Sequence, residues 1–184
     1  QKNPVATGAD LVAYSGFSDS NYLAQPYNPD LDFGTGDFCV MGWVKPLNYG
    51  SDIIASRSYY VSGSYSGSFT SFLLYTGKPE MRISDGTTTS RYTAANTLPT
   101  GVWSHLVFKR SSGNVVVYVN GILVTSGTDT KNVTNTSATL VVGREPSDTI
   151  NAYAMEGSLA LFRISATAPT AEQIAKIYRD EKPL

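Results

Sequence analysis

The chain has 184 residues, of which 41% are hydrophobic and 16% are charged, and its formal net charge at pH 7 is −1. The near-zero charge and scattered basic residues argue against nucleic acid as a partner, because nucleic-acid-binding proteins usually cluster Lys and Arg on one face. No apolar run approaches the roughly eighteen residues of a membrane span, and no signal peptide opens the chain, so no membrane insertion is expected.

Strand-length runs separated by Gly, Pro, Asn and Ser follow one another through the first half of the chain. In order, they are Leu11–Tyr14, Tyr22–Ala24, Phe38–Val44, Ile53–Arg57, Phe69–Tyr75, Met81–Ser84 and Thr87–Thr93. Phe38–Val44 is almost continuously apolar, which is typical of a strand buried on both faces. It contains the only cysteine, Cys39, which is predicted to be a buried structural residue.

A β-meander follows between Trp103 and Thr125. Its strands are predicted at Trp103–Arg110, Val115–Val119 and Ile122–Thr125. In the first strand, Phe108 alternates with His105, and we predict that Phe108 faces the core. His105 is the only histidine and has no motif partner for a triad or a zinc site, so it is interpreted as a strand-face residue. Asn120-Gly121 tolerates positive φ at both positions and predicts a type I′ hairpin.

In the last part of the chain we predict two strands, Thr139–Val142 and Gly157–Ile164, and one helix. Thr170 and Gln173 have the spacing of a capping box. Beyond them, Ile174, Ile177 and Tyr178 fall on one helical face, which is expected to pack against the sheets.

About ten short strands and one late helix predict an all-β fold in which two antiparallel sheets pack as a sandwich. Residues 1–10 are predicted to be a linker and residues 11–184 a single domain. The start at Gln1 and the end at Leu184 suggest a piece of a longer protein.

The order and spacing of several segments are similar to those of a known protein family. They are Asp32–Phe38, Trp43–Pro46, Trp103–Phe108, Tyr118–Gly121, Val142-Gly143, Gly157–Ile164 and the Thr170–Tyr178 helix. Together they resemble the concanavalin A-like, laminin-G-type jelly roll over most of Leu11–Leu184. This resemblance implies a two-sheet jelly roll with one short C-terminal helix.

A narrower resemblance lies near the C-terminus. Phe162–Ser165, Ala168–Thr170 and Asp180–Lys182 resemble copies of this fold in structural proteins of tailed bacteriophages. This likeness implies a virion-associated or extracellular location.

Catalysis is not expected. A glycosidase needs two carboxylates about 5 to 9 Å apart. Hydrolase relatives of this superfamily carry a Glu-x-Asp-x-x-Glu strand, which no strand here matches. Asp30 and Asp32 have a suitable spacing but lie in a loop rich in Pro and Gly.

No cofactor is required by the sequence, but calcium is a candidate, because laminin-G relatives hold such ions with oxygen ligands from loops. The loop carboxylates that could bind it are Asp19, Asp52, Asp129 and Asp148. In the Gly157–Ile164 strand, however, many relatives have acidic residues where this chain has Leu159-Ala160-Leu161.

The segment Tyr49–Tyr75 is rich in Tyr and Ser and is the strongest candidate binding surface. Tyr offers flat contact area at low entropic cost, and Ser offers hydrogen bonds. Sugars need both, together with planar polar groups for their hydroxyls. The candidate glycan-binding residues are Tyr49, Asp52, Arg57, Tyr59, Tyr60 and Tyr65, with Arg91 and Tyr92 from a later strand. The alternative interpretation is a flexible solubilising loop.

The sequence therefore predicts a non-catalytic recognition module that binds a glycan or cell-surface receptor as part of a phage tail or virion protein. One alternative is a structural or decoration domain that contacts other virion or assembly subunits. A second alternative is a cryptic polysaccharide hydrolase.

Overall fold

The computed structural model describes residues 2–4, 12–61, 64–146 and 153–182. Its strands are β1 (Lys2–Pro4), β2 (Val12–Ser15), β3 (Leu23–Gln25), β4 (Phe38–Pro46), β5 (Asp52–Ser58), β6 (Tyr60–Val61), β7 (Ser64–Tyr65), β8 (Phe69–Tyr75), β9 (Lys78–Ser84), β10 (Thr89–Thr93), β11 (Ser104–Ser111), β12 (Asn114–Val119), β13 (Ile122–Thr128), β14 (Thr139–Val142) and β15 (Gly157–Ser165). The helix α1 spans Ala171–Glu181, and a single 3-10 turn spans Pro29–Leu31. None of the described helices has the length and apolar character needed to cross a membrane.

The strands form two packed sheets. The seven-stranded sheet has the order β1-β2-β15-β4-β11-β12-β13, and the six-stranded sheet has the order β10-β9-β8-β5-β14-β3. β6 and β7 form a separate two-stranded hairpin. All pairings among the described strands are antiparallel. The predicted all-β sandwich with one C-terminal helix is therefore confirmed.

Three tight turns set the register of their hairpins. Asn120-Gly121 has φ values of 53° and 78°, which confirms the predicted pair of positive φ angles. Thr76-Gly77 and Ser112-Gly113 also have positive φ angles at both positions. Such turns match the right-handed twist of the strands they join.

The core between the sheets is built from alternate residues of the central strands. Leu106 and Phe108 of β11 face it, together with Val115 and Val117 of β12. The Phe108 ring lies 5.6 Å from that of Phe72 in the opposite sheet. The predicted core position of Phe108 is confirmed.

The helix α1 covers the outer face of the seven-stranded sheet. Thr170 and Gln173 form the predicted capping box. Ile174 is fully buried against Cys39 and Val107. The burial of Cys39 raises the pKa of its thiol to about 12. His105 has no exposed surface and lies beneath the helix. Strand β11 is therefore buried on both faces, one by the opposite sheet and the other by the helix.

Part of the segment predicted as a linker forms a strand. Lys2–Pro4 pairs with Val12–Tyr14 and extends one edge of the seven-stranded sheet. An edge strand needs only one neighbour, and the composition of residues 1–10 does not reveal that pairing. The division of the chain into a linker and a single domain stays a prediction.

We expect Phe108→Ala to lower the free energy of unfolding by about 3 to 5 kcal/mol, because it leaves a cavity between the two sheets. Urea denaturation measures this loss. Leu106→Ala and Leu47→Ala form a matched pair, since Leu106 is buried and Leu47 is 66% exposed. Leu106→Ala should be costly and Leu47→Ala nearly neutral. A loss of less than about 1 kcal/mol for Phe108→Ala would contradict the core assignment.

Candidate functional site

A cleft of about 330 Å³ opens on the outer face of the six-stranded sheet, at the edge formed by β3 and β14. Its aromatic lining comes from Tyr22, Tyr59 and Tyr60. The remaining lining residues are Ala24, Ser58, Thr139, Val141, Arg144 and Pro146. The cleft therefore joins the edge strand, the end of β5, the β6–β7 hairpin and the segment after β14.

One wall is the ring of Tyr22, which is 41% exposed. The guanidinium of Arg144 lies over this ring at 4.7 Å. Arg144 is itself fixed, because its Nη1 donates to the backbone oxygen of Asp19 at 2.6 Å and its Nε donates to that of Glu145 at 2.9 Å. A well-held cation thus stiffens the Tyr22 wall.

The opposite wall is the start of the β6–β7 hairpin. Tyr59 is 41% exposed, and Tyr60 meets Tyr65 edge to face at 5.1 Å. The Tyr65 ring stacks on Phe69 at 4.2 Å, and its hydroxyl donates to Glu145. Burial first, and then the Glu145 carboxylate, raise the pKa of Tyr65 above its usual value. Tyr65 therefore anchors the hairpin, while Tyr59 and Tyr60 face the cleft.

The floor mixes hydroxyl groups with small apolar side chains. Ser58 lies directly opposite Thr139, and Val141 lies opposite Ala24. Such a floor can hydrogen-bond a ligand hydroxyl and still contact an apolar ring face.

The sequence-predicted site residues separate into groups. Tyr59 and Tyr60 lie in the cleft, with Tyr65 behind them. Tyr49 is exposed but packs on the Thr76-Gly77 turn, where the missing side chain of Gly77 leaves room for its ring. It does not line the cleft.

Arg91 and Tyr92 are also outside the cleft. They lie on β10, at the opposite edge of the sheet and four strands from β14, which corresponds to about 19 Å. Tyr92 turns inward, and its hydroxyl donates to the Thr128 backbone oxygen at 2.8 Å. The two residues therefore do not line the cleft beside the tyrosines, and a role for them in ligand binding stays a prediction.

Arg57 is not available to a ligand in this structure. A register shift between Ile53 and Ala55 is followed by regular pairing, which turns Arg57 toward the interior with Ala55. Its guanidinium is buried, pairs with the Asp32 carboxylate, and donates to the Asn135 backbone oxygen at 3.1 Å. The predicted role as a partner for sugar hydroxyls is therefore replaced by a structural one.

Sequence reasoning missed Tyr22 and Arg144. Tyr22 begins the predicted strand Tyr22–Ala24, and Arg144 lies two residues after the predicted strand Thr139–Val142, but nothing local places the two together. They meet because Leu23 of β3 pairs with Val142 of β14, across more than half the chain.

The three candidate calcium ligands that lie in the described ranges, Asp19, Asp52 and Asp129, do not form one cluster. No group of three or more His, Cys, Asp or Glu side chains suited to a metal occurs there. Asp129 accepts hydrogen bonds from Lys131 and from the Tyr92 hydroxyl, and Asp52 lies apart on β5. Asp19 meets Arg144 through its backbone oxygen, while Asp148 lies outside the described ranges. Calcium binding stays a prediction.

The family follows from the sequence match. Residues 17–175 match the laminin G family 3 model, described as the concanavalin A-like lectin/glucanases superfamily. This match spans well over half of the chain, so the chain belongs to this superfamily. No curated protein sequence matches it.

Solved structures share the fold. Domain 4 of AbnA, a GH43 extracellular arabinanase from Geobacillus stearothermophilus, in complex with arabinotriose, is 21% identical with a TM-score of 0.65, over 93% of this chain and 82% of that one. The Ruminococcus gnavus IT-sialidase CBM40 bound to α2,3-sialyllactose is 12% identical with a TM-score of 0.69, over 90% and 97%. Mouse laminin α1 domains LG4-5 are 14% identical with a TM-score of 0.64, over 88% and 44%. Because all three sequence identities are low, these similarities show a shared fold and no more.

Asp52 is buried, receives the Glu156 backbone N–H, and has an Oδ2 atom without a hydrogen-bond partner among the described residues. Burial first, and then the nearby Glu156 carboxylate, raise the pKa of Asp52 to about 6. Because the folded pKa lies above the unfolded one, the protonated form stabilises the fold below about pH 4, and this contribution is lost as the pH rises through 6.

We therefore expect Asp52→Asn to gain stability relative to the wild type as the pH rises from about 4 to 6, reaching roughly 1 to 3 kcal/mol at pH 7. Urea denaturation across this range, in the presence of a chelator, measures the difference. Asp30→Asn at an exposed position is the matched control. A loss of stability in Asp52→Asn at pH 7 would show that the carboxylate is paired.

Proposed function

We propose that this chain is a non-catalytic glycan-binding module and that the cleft between Tyr22 and Tyr59 receives the sugar. The observation that carries the proposal is an open cleft with exposed aromatic rings on two sides and hydroxyl groups on its floor. A pyranose stacks its C–H face on an aromatic ring while its hydroxyls bond to polar groups. Thr139 supplies such a group on the floor, next to the buried hydroxyl of Ser58, which hydrogen-bonds that of Ser56 at 3.2 Å.

The site should bind a single sugar weakly. The cleft is open and shallow, so a small ligand keeps much of its surface in water, and millimolar binding, about −4 kcal/mol, is expected. Useful attachment then requires several copies acting together, because linking sites raises the effective concentration of the second contact.

The solved structures support this proposal in one respect. Two structures with the same fold hold a saccharide, arabinotriose in one and α2,3-sialyllactose in the other. The fold is therefore compatible with sugar binding, while the assignment of this cleft rests on its own residues.

The carboxylates considered for hydrolysis do not support catalysis. Although burial pulls the pKa of Asp32 upward, hydrogen bonds from Asn135 and Tyr27 and the charge of Arg57 hold it below its usual value. Asp32 is therefore an ionised structural group, whereas a general acid needs a raised pKa. Asp30 is exposed beside it.

We expect no turnover of polysaccharides by the wild-type domain. Reducing-end release from a panel of soluble polysaccharides measures this. Turnover that disappears in Asp30→Asn would show that the loop carboxylates are catalytic and would replace the binding proposal by a hydrolase.

The proposed setting is a phage tail or another virion protein, or an extracellular assembly. Its support is the sequence resemblance of Phe162–Ser165 and Ala168–Thr170 to phage structural proteins. Labelling of purified particles with an antibody against this domain tests that setting. If the domain instead has a structural or decoration role and contacts other subunits, we expect no sugar to bind in the cleft.

The cleft assignment is tested with Tyr22→Ala/Tyr59→Ala in a multimerised domain on a glycan array. Loss of both stacking walls should weaken binding at least about tenfold. Tyr49→Ala/Tyr153→Ala is the matched control, since both tyrosines are exposed and neither lines the cleft. Equal binding by both double variants, with the fold intact, would move the site elsewhere.

A further inference from the structure

Two arginines lie directly opposite each other on the outer face of the six-stranded sheet. Arg82 of β9 and Arg91 of β10 are register partners. Their neighbours Met81 and Ile83 face the core, so both arginines point away from it. Like charges at directly opposite positions destabilise a sheet, so this pair needs compensation.

The described residues compensate only one of the two charges. Arg82 Nε donates to Glu80 at 2.6 Å, and Glu80 is buried and also accepts the Thr93 hydroxyl. The Arg82 guanidinium lies 5.8 Å from the centroid of the Tyr75 ring, which is 44% exposed. Arg91 is exposed and makes no ion pair within the described residues. Among the described residues, Glu80 therefore pairs with Arg82 alone, and the positive charge of Arg91 is left at the surface.

The arginine pair and the cleft belong to one row of the same sheet face. Crossing the sheet in register, the row is Arg91, Arg82, Ser71, Ser56, Val141 and Ala24. Its last two members line the cleft. From β9 to β14 is three strands, or about 14 Å. Tyr65, which interacts with Ser71, lies over the middle of the row.

We propose that Arg82 and Arg91 form a subsite for an anionic group, a carboxylate or a sulfate, on an acidic polysaccharide of which another sugar, about 14 Å away, occupies the cleft. This inference rests on the proposed function. Guanidinium groups suit such anions because they donate two parallel hydrogen bonds. Arg82 is held in place by Glu80, and Arg91 is free to close on the ligand.

The test compares multimerised wild type, Arg91→Gln and Arg179→Gln. Arg179 is exposed on α1, on the far side of the molecule, so its variant makes the same charge change away from the row. The probes are polygalacturonate, dextran sulfate and neutral dextran at low and high salt. Thermal unfolding midpoints verify that each variant is folded.

We expect the wild type to bind one or both acidic polymers more tightly than neutral dextran, with an advantage that shrinks in salt. Arg91→Gln should lose about five- to tenfold in binding to the acidic polymer, and Arg179→Gln should lose none. The two acidic polymers separate a carboxylate from a sulfate as the preferred group.

Three results overturn the subsite: no binding of either acidic polymer by the wild type, no change in Arg91→Gln, or an equal loss in Arg179→Gln. The cleft is judged separately with Tyr22→Ala/Tyr59→Ala on the same probes. If that variant keeps its acidic binding while Arg91→Gln loses it, the arginine subsite stands and the cleft assignment is wrong. If only the tyrosine variant loses binding, the cleft stands and the subsite is wrong.

Discussion

The buried ion pair between Arg57 and Asp32 is the interaction on which the candidate site depends. Removing one partner of such a pair leaves an uncompensated charge and costs about 3 to 5 kcal/mol, so the surrounding groups must stay in place. Asn135 completes the pair, because its N–H donates to Asp32 at 3.0 Å and its backbone oxygen accepts from Arg57. The side chain of Asn135 then donates to the backbone oxygens of Ser66 and Ser68. These two residues follow β7, so the ion pair positions the hairpin that carries one wall of the cleft.

A second buried arginine reinforces the same end of the sandwich from the opposite sheet. Arg110 follows Phe108 at the spacing of one strand face, so it also points inward, and it lies over the Phe38 ring at 5.0 Å. It donates to the backbone oxygens of Gly34, Gly36 and Lys131. Each sheet thus contributes one guanidinium to the loops at this end, where Arg57 is held by the Asp32 carboxylate and backbone oxygens, and Arg110 by backbone oxygens. The site therefore sits on a rigid base, which lowers the entropy lost when a ligand binds.

Local features of the fold were predictable, and nonlocal features of the site were not. The strand Phe69–Tyr75, the Asn120-Gly121 turn and the capping box follow from alternation, turn chemistry and side-chain spacing, and all three are confirmed. The burial of His105 beneath the helix depends on which face of the sheet the helix covers. The inward turn of Arg57 depends on a register shift that no residue type announces. The cleft needs Tyr22 beside Arg144, a contact made by two strands far apart in sequence.

Two buried ionisable groups affect stability in opposite directions over the same range of pH. Burial, partly opposed by Glu181 and assisted by Arg163, lowers the pKa of His105 to about 4, and neither ring nitrogen has a hydrogen-bond partner among the described residues. Its ordinary pKa is 6.5, so the His105 contribution to stability increases as the pH rises from about 4 to 6.5. The Asp52 contribution decreases between about 4 and 6, because its folded pKa is raised. Each contribution is roughly 1 to 3 kcal/mol, and the two oppose each other over this range of pH. A flat stability profile of the wild type in this range would therefore reflect two opposed buried groups, which only single substitutions can separate.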